Sequence, residues 1–130
     1  MKTIKNGFAL VEVVIVIVLI SGSMLVFLEA LNQAKLYQTK SEIVTIQSII
    51  LHSKTNEIRS RGFDYVPMSS GFSAVTDYPN FSYSLNVDYV DENLTLTSNQ
   101  SNLKRINLIV KHNSNNYTEI SDTFIISNAL

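Results

Sequence analysis

From Phe8 to Leu28 the chain carries 21 residues and a single charge, Glu12. The run reads Phe-Ala-Leu-Val-Glu-Val-Val-Ile-Val-Ile-Val-Leu-Ile, then Ser-Gly-Ser, then Met-Leu-Val-Phe-Leu. As a helix rising about 1.5 Å per residue it covers about 31 Å, the thickness of a bilayer's hydrocarbon core. A carboxylate near the start of such a run costs about 2–3 kcal/mol even on mild insertion scales. A plain anchor has no use for that cost, so Glu12 is a candidate functional residue. A secretory signal peptide is the competing reading, with Ser21-Gly22-Ser23 imitating a cleavage site. Against it, the apolar run resumes at Met24, and an acid inside a signal core is unusual.

The residues around the start of the run, Lys5-Asn6-Gly7-Phe8-Ala9-Leu10-Val11-Glu12-Val13, resemble the start of a type IV prepilin or pseudopilin. The resemblance spans roughly residues 5–28. It rests on a short basic leader, a Gly-Phe junction, a Glu four residues later and a long apolar helix. It implies cleavage between Gly7 and Phe8 by a prepilin peptidase, N-methylation of Phe8, and assembly into a filament through the apolar helix. It implies three segments: a leader at 1–7, a transmembrane and filament-core helix at 8–28, and an extracytoplasmic domain at 29–130. The partners it implies are other pilin or pseudopilin subunits, the peptidase, an inner-membrane assembly platform, and lipid before assembly. It also implies that Glu12 pairs with the Phe8 amine of a neighbouring subunit, and that a subunit keeping this Glu is not the outermost tip subunit. Read from the residues alone, three arrangements stay open: Glu12 pairs with the amine of its own Phe8, one helical turn back; an axial shift between neighbours puts it beside the Phe8 amine of another subunit; or it is protonated and serves only recognition by the peptidase. Two departures from the family are visible. Many pilins carry a Pro farther along the helix, whereas the first Pro here is Pro67; many also have a C-terminal disulfide loop, and this chain has no cysteine.

At 130 residues the chain is long enough for one domain. Ten basic residues face eleven acidic ones, and loss of Lys2 and Lys5 with the leader leaves a net side-chain charge of −3. Neither balance suits an electrostatic nucleic-acid binder. Without cysteine there is no disulfide framework and no thiol chemistry. Lys2 and Lys5 precede the apolar run and no basic residue follows it before Lys35. The positive-inside rule therefore places the N-terminus in the cytoplasm and the chain beyond Leu28 outside.

After Glu29 there is no Gly or Pro until Gly62. Leu28, Leu31 and Ala34 share one helical face; Ile43, Ile46 and Ile50 repeat the spacing, with Val44 and Leu51 widening the stripe. Lys40, Glu42, Gln47, Lys54 and Glu57 fall mostly off it. Glu57 and Arg61 form an i,i+4 pair of favourable polarity, and Gly62 is the expected C-cap. One helix is expected from about Phe8 to Arg61, roughly 80 Å long and softened near Gly22. Residues 63–80 read as a loop, with Pro67, Ser69-Ser70-Gly71 and Pro79-Asn80 as breakers. Phe81, Tyr83, Leu85, Val87 and Tyr89 then alternate with polar residues, the pattern of a half-buried strand. Leu94–Thr97 is a candidate short strand. Ile106, Leu108 and Val110 alternate, Asn113-Ser114-Asn115-Asn116 signals a turn, and Thr118–Ser127 returns with Ile120, Phe124 and Ile126 on one face, an antiparallel hairpin. A three- to four-stranded antiparallel sheet laid on the second half of the helix gives a two-layer α+β domain, which is also what the resemblance implies. The helix end Ser53–Phe63 resembles minor pilins and the smaller pseudopilins more than major pilins.

Chemistry is sparse. His52 and His112 lack metal-ligand spacing, and the serines lack a nucleophile setting. Asp88, Asp91 and Glu92 cluster near a strand end but match no defined cation loop, so a solvated turn is expected. No cofactor and no catalytic residue is assigned. Two functional classes follow: a minor pilin or pseudopilin built into a type IV pilus, type II secretion or competence filament; or a permanently anchored single-span protein whose β domain holds an extracytoplasmic ligand.

Overall fold

The computed structural model describes residues 6–128, with side chains described from Ala9 onward. Helix α1 runs without interruption from Asn6 to Arg61. It does not soften at Ser21-Gly22-Ser23: the Ser23 hydroxyl donates back to the Leu19 carbonyl at 2.7 Å, which keeps that polar group inside the helix's own hydrogen bonding. The helix stops where expected. Gly62 adopts φ +80° with ψ −177°, and its N–H reaches back to the Ile58 carbonyl at 3.3 Å; this extended, positive-φ backbone ends the helix and is open at low cost only to glycine. Arg59 and Arg61 lie in the last turn, where the helix dipole favours cations. A single 3-10 turn, Phe63–Tyr65, follows.

The chain divides between Thr39 and Lys40 into two compact units. The second contains the end of α1 and an antiparallel sheet of five strands: β1 Ser70–Val75, β2 Tyr78–Val90, β3 Leu96–Thr97, β4 Leu103–His112 and β5 Ile120–Ser127. Their order is β1-β2-β4-β5, with β3 paired to the end of β2. The architecture is α+β, a long N-terminal helix whose second half packs on an antiparallel sheet. The β4–β5 hairpin turns through Asn113–Asn116, in a register from Val110 opposite Ile120 to Leu103 opposite Ser127.

The expected loop 63–80 needs correction, because it contains β1 and the start of β2. Thr76 and Asp77 form a tight turn between them, and Pro79 lies inside β2. A proline is tolerated there because pairing with β4 begins only at Phe81 and the β1–β2 register shifts between Ala74 and Val75. Gly71 likewise lies at a register shift, between Ser70 and Ser73. Broken pairing hid β1 from an alternation test. Leu94 is a turn residue and not a strand residue.

The core lies between the sheet and the last turns of α1. Val66, Leu85, Val87, Ile106, Leu108 and Phe124 form one cluster, against which Leu51 and Ile58 of the helix pack. Ile50, Val75, Phe81 and Val110 form a second, joined by Ile43 and Ile46. The expected stripe is therefore the buried one, with three corrections. Val44 is exposed. Gln47, placed off the stripe by its polarity, is 0 % exposed. Lys54 is only partly exposed, since it is held to Glu57. On the outer sheet face Ser84, expected to be wet, is buried in the middle of β2 with strands on either side.

Candidate functional site

The apolar half of α1 is the feature that the rest of the chain leaves incomplete. Between Leu10 and Leu28 fifteen large apolar side chains are exposed, and none of the most hydrophobic window, mean hydropathy 2.7, is buried within the molecule. Leu31, Leu36 and Tyr37 extend that exposure past the expected span. At ~1.5–3 kcal/mol for each large side chain fully removed from water, covering this surface is worth tens of kcal/mol. The cost of carrying Glu12 along is several-fold smaller. The helix is long and apolar enough to cross a membrane.

Glu12 sits on this surface in the second turn of α1, exposed, with Val11, Ile15 and Val16 around it. Gly7 and Phe8 fall in the first turn; their side chains lie outside those described, as do residues 1–5 with Lys2 and Lys5. Glu12 lies four positions after Phe8, one turn along the same helical face.

A second polar group occupies the other end of the helix. Lys54 Nζ lies 2.8 Å from Glu57 Oε2 and Arg61 Nη2 lies 2.8 Å from Glu57 Oε1, so the i,i+4 pair read from the sequence is one arm of a triad. The hydrogen bond from Lys54 is the main reason the Glu57 carboxyl titrates below its usual range; partial burial opposes it, and the positive charges of Lys54 and Arg61 add to it. Each cation also lies over a ring, Lys54 over Tyr83 at 4.9 Å and Arg61 over Tyr65 at 4.4 Å.

The remaining candidates have local roles. Asp91 Oδ1 accepts the backbone N–H groups of Asn93 and Thr95, at 2.9 and 2.8 Å, which makes it the organiser of a turn. Asp88 lies 3.7 Å from Arg105. Among the described residues no group of three His, Cys, Asp or Glu is placed to hold a metal ion. His52 is exposed. His112 stands edge-on between Phe81 and Tyr117, with its Nδ1 accepting the Ser114 N–H at 3.0 Å. The sequence reading missed Lys104. Its side chain is buried, its Nζ donates to the Phe63 carbonyl at 2.9 Å, and it lies 4.2 Å from the Phe63 ring. Its place among Ile106, Leu108 and Val110 on one face of β4 was the available signal. No family model, no curated protein and no solved structure matches this chain.

Proposed function

We propose that this chain is a non-catalytic structural subunit of a filament of the type IV pilin or pseudopilin kind, of the minor class. In this reading a prepilin peptidase cuts between Gly7 and Phe8, Phe8 becomes the N-methylated terminus, and the subunit waits in the cytoplasmic membrane with its β domain outside. An assembly platform then moves it from lipid into a bundle of like helices. The observation that carries the reading is the exposed apolar half of α1, with one carboxylate in its second turn. Lipid and a helix bundle both cover such a surface. Glu12 favours the bundle as the final state, because cleavage would create an amine one turn away whose charge it matches. An unpaired charge in a dry core carries a penalty of several kcal/mol.

The mature N-terminus tests this. Intact mass measurement should find methyl-Phe8 in the wild-type protein and the full leader in Gly7→Val, since a branched side chain at the junction obstructs the protease cleft. An intact Met1 in the wild type would identify a permanent single-span anchor instead. Normal maturation of Gly7→Val would remove the junction from its role.

A further inference from the structure

A cavity of about 210 Å³ opens beside the last turns of α1. Ile58, Leu85 and Val66 line it, the last two buried, while Lys54, Glu57 and Arg61 border it with partly exposed side chains. Two cations against one carboxylate leave a net positive rim over an apolar floor. Elsewhere on the same unit, the Asp91–Thr95 turn presents the opposite arrangement. Leu94 adopts φ +63° and is 54 % exposed. A leucine gains nothing from the left-handed region, which Asn and Gly tolerate far better, and Asn93 stands one position earlier. The turn is held by the Leu94 N–H to the Asp91 carbonyl at 2.9 Å, the Asp91 N–H to the Thr95 carbonyl at 2.9 Å and the Asp91 carboxylate bonds already described. These hold a bulky apolar side chain out in solvent. Glu92 is exposed beside it and forms no ion pair among the described residues. Backbone held in this region gathers at active sites, ligand clamps and switch regions.

We propose that the cavity at the end of α1 seats the Glu92–Leu94 turn of a second copy of this chain, Leu94 entering the apolar floor and Glu92 meeting Arg61 and Lys54. Size agrees: an apolar cavity of about 150 Å³ takes a benzene ring, so 210 Å³ takes the four-carbon leucyl group. Charge agrees, with an acidic turn facing a positive rim. The turn and the cavity are different surfaces: if both copies reciprocate, the contact is isologous and closes a dimer, and if they do not, it is heterologous and extends into a ring or an open chain. It does not depend on cleavage at Gly7 or on the filament reading, and it is testable in the uncleaved protein.

The absence of cysteine gives a clean background for cross-linking. Full-length Asn93→Cys and Ser70→Cys chains, separately tagged, are co-expressed and oxidised in the membrane; Ser70 borders the cavity. The mixed disulfide should exceed that of an Asn93→Cys and Ser121→Cys pair by about tenfold or more, since a docked pair raises the local thiol concentration into the millimolar range. Adding Leu94→Gly, which relaxes the turn and so leaves folding intact by circular dichroism, should remove the excess. Arg61→Glu on the Ser70→Cys chain should remove it as well, and Glu92→Arg on the other chain should restore it. Equal yields from the two pairs, an excess that survives Leu94→Gly, or a charge swap that fails to restore the cross-link would each overturn the proposal.

Discussion

Gln47 and Thr118, 71 positions apart, are joined by one hydrogen bond: Gln47 Nε2 donates to the Thr118 carbonyl at 3.0 Å. The bond ties the second half of α1 to the end of the β4–β5 turn. The other end of the same amide, Oε1, is buried and has no hydrogen-bond partner among the described residues. Gln47→Ala should therefore destabilise the domain by ~2–4 kcal/mol, since it opens a void and strips the Thr118 carbonyl of its donor. Gln47→Met fills the volume and removes the unpartnered oxygen, so it should cost ~1 kcal/mol or less. Thermal unfolding of the full chain in detergent, followed by circular dichroism, separates the two. Equal losses would assign the whole effect to the hydrogen bond.

Ile50 and Val44 test which face of the helix meets the sheet. Ile50 is buried between Phe81, Val75 and Val110, whereas Val44 is exposed. Ile50→Ala should cost ~2–5 kcal/mol. Val44→Ala should stay within ~0.5 kcal/mol. Comparable effects at both positions in the same unfolding measurement would contradict the packing.

Glu57 gives the helix end a pH dependence of known sign. Its carboxyl titrates below its usual value in the folded state, so the triad's contribution is fully present above the ordinary carboxylate range, pH ~4–5. It is lost as pH falls through the lowered folded value. With the Glu57 side chain 37 % exposed, the contribution is that of a screened surface network, ~0.5–1 kcal/mol. Glu57→Gln should therefore melt lower than wild type at neutral pH, and the two curves should converge in acid. A difference that persists at pH 2 would show that the carboxylate charge is not its source.

Glu12 is expected to act in assembly and not in processing. Glu12→Ala should still be cleaved at Phe8 but should enter filaments poorly. Glu12→Gln should be nearly as defective, because it keeps the shape and loses the charge that matches the Phe8 amine. Immunoblots of sheared filaments measure incorporation. Wild-type levels of both variants would eliminate charge pairing.

What the sequence determined by itself was whatever is written in local periodicity. The apolar run 8–28, the buried stripe through Ile43, Ile46 and Ile50, the alternation from Phe81 to Tyr89, the Asn113–Asn116 turn and the Gly62 cap are all legible there. In each case one element's own repeat, or one residue's own backbone preference, is enough. Only the tertiary structure decided the rest. Gln47 goes inside because Thr118 offers it a carbonyl from 71 residues away, and polarity alone puts it outside. Lys104 goes inside because Phe63 supplies a carbonyl and a ring. β1 exists because β2 accepts it across two register shifts that erase any alternation. Leu94 is driven to positive φ by the hydrogen bonds of Asp91 and not by its own preference. A side chain's partner in a distant segment leaves no periodic trace, because periodicity records which face is buried and not what lies across from it.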